Sequence, residues 1–451
     1  MTEISYKVDS YQIARNTPAW LECDSICKKS KDLYNSANYY QRQRFFDPDR
    51  SIKTVGFAKL AKVMQLHEAY AKMPAKLAQL TVKNVTDAWN GYYKAIAAFR
   101  KNPEKFLSEP KPPKYKNTKT GRSLVEFNIQ AIAKKPLREG FLKLSSLGFM
   151  IPLRRTLEQV ELEEINKETG EVFVRDVCNL RSVIIRPVYD RYEVIVRYAV
   201  PRVKPVEASK GSYLAGIDLG VNNLVAVATT NKSKRNFIIN GRPLKSMNQF
   251  FNKRLAELRS ALDVCVSKRG KKNITRKIKV LCRKRHNKIK DFLHKASTLL
   301  VNQLVSSDVF SVVIGKNVGW KQDTNMGKVN NQNFVQIPHA RFIEMFRYKW
   351  ANIGRYSEVS EESYTSKCSF LDGESIEFHN SYVGKRVRRG LFQTKNGHLV
   401  NADIQGGANI LKKVISNAWD QWSKADLIEG FVVSPVRLTT NQHHHAVSIK
   451  T

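Results

Sequence analysis

Residues 213–231 read YLAGIDLGVNNLVAVATTN and run on into RNFIINGRPL at 235–244. Apolar and small residues alternate through both stretches, with turn-forming Gly and Asn between them, which predicts a three-stranded antiparallel meander. Asp218 falls in the middle of the first strand. Gly216 and Gly220 flank it, and their missing side chains leave room for a ligand beside the carboxylate.

Working outward, the order of elements becomes informative. A long basic helical stretch follows the meander, then SSDVFSVVIGKN (306–317) as a buried strand, IPHARFIEMFRYKWANIG (337–354) as a helix and YSEVSEESYTSK (356–367) as a further strand. Asp403, in VNADIQGGANILKKV (400–414), opens a late helix from which a carboxylate can return to the sheet. The GIDLG turn also occurs in actin-like kinases and chaperone ATPases, but that class needs further glycine-rich phosphate loops, and no second one is found. In isolation an aspartate in such a turn could also serve only an Asx hydrogen bond.

Upstream, residues 1–19 have the mixed pattern of a short strand, and Asn16 or Thr17 before Pro18 offers a helix cap. From 19 to 105 the pattern is helical. Leu77, Val85, Trp89, Tyr92, Ile96 and Phe99 mark one amphipathic face that Pro103 closes. YNSANYYQRQRFF (34–46) could stack on bases, although an aromatic stripe at helical spacing also builds a core. EPKPPKYKNTKTGR (109–122) is Pro-rich, basic and turn-like, and an all-β block follows it, ending in the hairpin SVIIRPVYDRYEVIVRYAV (182–200).

Charge supplies the broadest constraint. The 451 residues hold 77 Lys and Arg against 40 Asp and Glu, a formal charge of +37. That field attracts polyanions, so nucleic acid is the expected partner. The stretch 231–290 concentrates 20 Lys and Arg against Glu257 and Asp263 alone. Lys268, Arg269, Lys271, Lys272, Arg276, Arg283, Lys284 and Arg285 are the candidate phosphate contacts, together with Lys111, Lys114 and Lys116 in the Pro-rich loop. No apolar run nears the roughly 20 residues of a membrane span, and the N-terminus lacks a secretory pattern, so the expected location is the cytoplasm. The six cysteines include no C-x-x-C pair, which gives neither a disulfide framework nor a zinc site. The triplet His443–His445 reads as part of a solvated polar tail.

These motifs in series resemble the TnpB (OrfB) family of transposon-encoded RNA-guided nucleases, relatives of the type V CRISPR effectors. The resemblance runs from about residue 5 to about 420. It rests on GIDLGVNNL, NGRPLKS (240–246), RKRHNKIKDFLHK (283–295), YTSKCSF (364–370) and NADIQGGANI (401–410), and on MPAKLAQLTVKNVTDAWNGYYKA and KPPKYK upstream.

What the resemblance implies is an α+β multidomain chain. An OB-like β-barrel wedge domain (1–18 and 109–205) would carry a helical recognition domain (19–108). A RuvC nuclease domain of ribonuclease H-like α/β fold (211–363 and 398–425), an insert (364–397) and a C-terminal tail (426–451) would follow. The implied activity is Mg²⁺-dependent endonuclease cleavage of double-stranded DNA beside a short motif, guided by an RNA from the transposon end.

In that chemistry carboxylates hold two Mg²⁺ ions about 4 Å apart. Asp218 matches the first carboxylate and Asp403 the last, but Gly315, followed by Lys316, stands where the family has its middle Glu. Either the protein is a nuclease-inactive RNA-guided DNA binder that represses transcription, or Glu361 or Glu362, at the end of the adjacent strand, supplies the third ligand. The family's zinc ribbon is also missing its cysteines: Cys368 stands alone and Leu371 occupies its partner position. A metal-free insert is expected. Gln405 replaces a frequent Asn.

Overall fold

The computed structural model describes residues 4–48, 54–155, 157, 159–165, 172–201, 203–206, 212–316 and 336–440, so His443–His445 lie outside the described residues. The chain divides into two compact units, 1–202 and 203–451. No helix among the described residues is long and apolar enough to cross a membrane.

The first unit begins with strand β1 (Ile4–Ile13) and helix α1 (Pro18–Phe45). Thr17 is the cap: its hydroxyl accepts from the Trp20 amide at 3.2 Å, and Pro18 fills the first helical position, where no amide donor is missed. Helices α2 (Phe57–Gln65), α3 (Glu68–Ala71) and α4 (Ala75–Lys101) follow. After them come β2 (Val125–Asn128), the short helix α5 (Lys134–Arg138), and β3 (Phe141–Lys143) paired with β4 (Met150–Pro152). Next are β5 (Gln159–Ile165) paired with β6 (Val172–Cys178), and the hairpin β7 (Leu180–Val188) and β8 (Arg191–Pro201). An antiparallel sheet has the order β1-β8-β7-β2, so helices α1 to α4 interrupt one sheet in sequence.

One core joins those helices to the sheet: Cys23, Cys27, Leu33, Leu77, Val85 and Trp89 pack with Val183, Ile185, Val194 and Val196. The expected boundaries at 18/19 and 108/109 therefore run along a shared core. Cys23 and Cys27 are fully buried, as small apolar side chains would be. Within the aromatic run of α1, Tyr34, Tyr40 and Phe45 pack on this core, whereas Tyr39 and Phe46 stay exposed.

The second unit is built on β9 (Tyr213–Leu219), β10 (Asn223–Thr229) and β11 (Phe237–Asn240), the antiparallel meander. Helices α6 (Arg242–Val264) and α7 (Lys268–Ser306) lead to β12 (Val309–Gly315), then α8 (His339–Ala351) and β13 (Tyr356–Ser360). A three-stranded sheet of β14 (Lys385–Arg388), β15 (Leu391–Gln393) and β16 (Leu399–Asn401) precedes α9 (Ala402–Val414), α10 (Lys424–Val432) and β17 (Val436–Leu438).

The main sheet has the order β13-β12-β9-β10-β11-β17, with β12 parallel to both β9 and β13. Side chains alternate across it. Ala215, Ile217 and Leu219 join a core with α7 and α8 on one face, while Ala226, Ala228 and Val313 join α9 and α10 on the other.

One expectation is corrected here. Residues 426–440 do not trail off as a tail: Phe431 is buried, and β17 pairs in parallel with β11 to put Leu438 into the core. The strand is too short for its sequence to reveal this, because an edge strand of three residues draws its stability from the sheet it joins.

The insert 364–397 is tied by carboxylates. Buried Glu374 accepts from the Ser369 amide at 2.6 Å and the Val383 amide at 3.0 Å. Asp372 accepts from the Ser369 hydroxyl at 2.6 Å and the Lys395 amide at 2.9 Å.

Candidate active site

The alternation along β9 sends Ile217 into the core and Asp218 to the opposite face, where α9 lies. Close approach of α9 requires glycine at 216 and is tight at 406. A Cβ on Gly216 would collide with the carbonyl of Gly407, and one on Gly406 would stand 3.0 Å from Asp218 Oδ2. Asn401 caps α9 by accepting from the Asp403 and Ile404 amides at 3.0 and 3.1 Å. Asp403 thus sits in the first helical turn, where the helix dipole favours a negative charge.

Asp403 is itself held. Its Oδ2 accepts from Asn223 Nδ2 at 2.6 Å, and Arg386 of the insert stands 4.0 Å from its Oδ1.

Glu362 reaches the site from the loop after β13. Register pairs Gly315 with Ser360 on one side of β12, and on the other the last pair is Ile314 with Ile217, one residue before Asp218. The Glu362 side chain lies over Gly315: a Cβ there would be 2.5 Å from Glu362 Oε2 and 2.5 Å from Ile410 Cδ1. The loop is fastened to α9, because Asn409 Nδ2 donates to the Thr365 and Cys368 carbonyls at 2.9 and 2.8 Å and Gln405 Nε2 to the Cys368 carbonyl at 3.3 Å.

Glu361 goes elsewhere. Its carboxylate accepts from Lys413 Nζ and from the Ser363 amide and hydroxyl, on the exposed side of the loop. Neighbouring residues in one loop thereby diverge.

The electrostatics follow this arrangement. Burial, then the charges of Asp403 and Glu362, pushes Asp218 well above the usual carboxylate range, against the pull of Arg386 and the Leu219 amide. Burial and the neighbouring Glu361 raise Glu362 to about 7, with Lys413 opposing. Partial burial would raise Glu361 as well, but its bonds from Lys413 and Ser363 outweigh this and hold it below its ordinary value. Asp218, Glu362 and Asp403 therefore share one electrostatic neighbourhood. Among the described residues, however, no three His, Cys, Asp or Glu side chains converge as a ready-made metal cage.

The candidate phosphate contacts divide by environment. Lys268, Arg269, Lys271, Lys272, Arg276 and Lys284 are exposed on the N-terminal half of α7. A groove of about 470 Å³ between α6 and α7 has Arg254, Arg276, Lys277 and Lys284 on its walls. Arg283 is half-buried. Arg285 serves the structure, donating to Asn248 Oδ1 at 2.8 Å and lying 4.8 Å from the Phe251 ring centre.

In the first unit Lys111 and Lys114 are exposed, but Lys116 is half-buried with its ammonium 4.6 Å from the Tyr34 ring centre. Its loop is strapped to α1. Lys31, Asn35 and Arg42 donate to the carbonyls of Thr118, Lys116 and Pro113 at 2.6, 2.9 and 2.8 Å.

No pattern of residue type or spacing marks Asn223, Arg386 or Lys413 along the chain. Asn223 lies inside the quoted GIDLGVNNL motif and Arg386 in the basic edge of the insert, so position in a motif was the available signal.

Residues 195–321 match the OrfB_IS605 family model, described as a probable transposase. A TnpB-like protein, ORF457, of Acidianus two-tailed virus is 23% identical over 404 residues, which cover 86% of this chain and 82% of the viral protein. Among solved structures, a Cas12f1–sgRNA–target DNA complex determined by cryo-EM is similar with a TM-score of 0.52 at 14% identity, covering 87% of this chain and 83% of that one. At that identity the likeness is one of fold: a mixed α/β multidomain architecture similar to that Cas12f1 structure.

Proposed function

We propose that this chain is a TnpB-family protein related to the type V effectors, and that it is an RNA-guided DNA endonuclease with Asp218, Glu362 and Asp403 as its metal-binding carboxylates. The observation that carries the proposal is the Glu362 carboxylate lying over Gly315. The side chain missing from β12 is replaced in space by one from the next strand's end. The strand order, with an antiparallel meander flanked by two parallel strands, supports reading residues 211–363 and 398–425 as a RuvC domain of ribonuclease H-like fold. The β1–β8 pairing around a helical interruption supports an OB-like wedge domain carrying a recognition insertion.

The donor set fits Mg²⁺. All three side chains offer hard oxygen ligands, and this ion is commonly held by one or two carboxylates plus water and substrate phosphate, so a closed protein cage is not required. When bound, Mg²⁺ supplies Lewis acidity to an attacking water and to the leaving oxygen.

The chain's own residues do the rest. Asp218 and Glu362 gather unfavourable negative charge in a partly dry site, and that repulsion is relieved when cations enter. Exposed Lys and Arg of α7 grip nucleic-acid backbones, while base pairing with a guide supplies sequence. The fold shared with an sgRNA–target DNA complex supports RNA and DNA as partners, and the family description supports a mobile-element origin for the guide.

The test is reconstitution with the RNA from the flanking transposon end and a matched DNA duplex. Cleavage in Mg²⁺ is expected for the unmodified chain and for Glu361→Ala, and is expected to vanish in Asp218→Ala and Glu362→Ala. Binding without cutting in both Mg²⁺ and Mn²⁺ would sink the proposal.

A further inference from the structure

The orientation of Asp403 is set by a side chain that is itself set by another. Asn223, at the start of β10, donates from Nδ2 to Asp403 Oδ2 at 2.6 Å, and its Oδ1 accepts from Arg437 at 3.1 Å. An amide can be turned end for end, but here only one orientation is favourable. A guanidinium has donors and no acceptor, so Arg437 requires Oδ1 to face it and directs Nδ2 toward the carboxylate. The reversed amide would set Oδ1 against Asp403 and Nδ2 against Arg437, two repulsive contacts.

The chain of contacts also keeps charge where cation binding needs it. Asn223 fixes Oδ2 through a neutral donor and adds no charge on that side, whereas Arg386 stands 4.0 Å from Oδ1 on the other. Arg437 would neutralise Asp403 by direct pairing, but it is held one residue further out.

Strand pairing decides that distance. Register puts Arg437 opposite Ile238 of β11, and Leu438, 4% exposed, anchors β17 in the core.

We infer that Asn223 and Arg437 are positioning residues for Asp403, and that the C-terminal strand β17 is thereby part of the active site. This rests on the reading of Asp403 as a metal ligand. Partners of this kind typically change metal affinity by about 10–100-fold.

Mn²⁺ binding to the full-length protein without nucleic acid, followed by electron paramagnetic resonance, provides a readout independent of cleavage. Arg437→Ala is expected to weaken Mn²⁺ affinity by about tenfold, at the low end for an exposed partner, with an unchanged melting temperature. Arg437→Lys, still donor-only, is expected to restore most of the affinity. Asn223→Leu is expected to weaken it at least as much as Arg437→Ala.

The controls are Asp218→Ala and Asp403→Ala. If these abolish Mn²⁺ binding while Arg437→Ala and Asn223→Leu retain wild-type affinity, the positioning role is overturned and the nuclease reading stands. If the aspartate variants bind Mn²⁺ like wild type, both fall.

Discussion

The two faces of the six-stranded sheet solve opposite problems with alternate residues of the same strand. On β9, Ala215, Ile217 and Leu219 fill a continuous apolar core against α7 and α8. Gly216 and Asp218 face α9, where side chains have been removed so that carboxylates can gather. Both faces carry an apolar core, but at β9 the α9 face gives up side-chain packing to hold charges that repel each other. Stability and chemistry should therefore separate on mutation.

The sharpest way to break that comparison is a pair of adjacent substitutions. Asp218→Ala is expected to abolish cleavage while leaving the melting temperature unchanged or higher, since it removes a carboxylate that burial and two like charges penalise. Ile217→Ala should cost about 2–5 kcal/mol of stability in denaturant titration while the folded fraction still cleaves. If Asp218→Ala proved as destabilising as Ile217→Ala, the two faces would not differ in the way described.

A smaller effect concerns pH. Glu362 binds its proton more tightly in the folded chain, at about 7, than at its ordinary value of 4.5. The associated stability is fully present below pH 4.5 and is lost as pH rises through 7, by up to about 3 kcal/mol in the metal-free protein. Glu362→Gln should flatten that decline, as measured by denaturant melts across this range. An equal slope in both proteins would remove Glu362 as its source.

Gly315→Ala tests the vacated space more gently. The new methyl group must displace Glu362 or Ile410, and overpacking of this kind costs about 1–3 kcal/mol. A crystal structure of the variant should show Glu362 moved, and a carboxylate left in place would argue against the tight fit.

The smallest stability effect is expected on α7, whose C-terminal half, from Ile289 to Leu304, supplies its buried residues. Lys271→Ala, Lys272→Ala and Arg276→Ala should each leave stability within about 0.5 kcal/mol. Each should also flatten the salt dependence of nucleic-acid binding by about 0.7–0.9 in log–log slope. Slopes equal to wild type would exclude these residues as phosphate contacts.

Much of this was legible along the chain. The meander, the basic helix and the late helix opening at Asp403 each follow from local pattern, because alternation, helical spacing and capping act over a few residues. Gly315 stood out only through the family resemblance, since no local pattern calls for a carboxylate there. The choice between Glu361 and Glu362 was not legible, since it depends on Lys413 and Ser363 holding one side chain outside and on Asn409 and Gln405 tying the loop to α9. Lys116 looked like Lys111 and Lys114 in sequence, yet Tyr34 covers its ammonium.

By itself, the sequence determined the order of elements, the polyanion-attracting charge and the positions of Asp218 and Asp403. Tertiary structure decided that α9 could lie against β9, that Glu362 fills the space over Gly315, and that Arg437 of the last strand reaches Asn223. The physical reason is separation: Asn223 and Asp403 are 180 positions apart in sequence, and Asn223 and Arg437 are 214 apart. No local pattern spans such distances, and only packing of the sheet against its helices brings these atoms together.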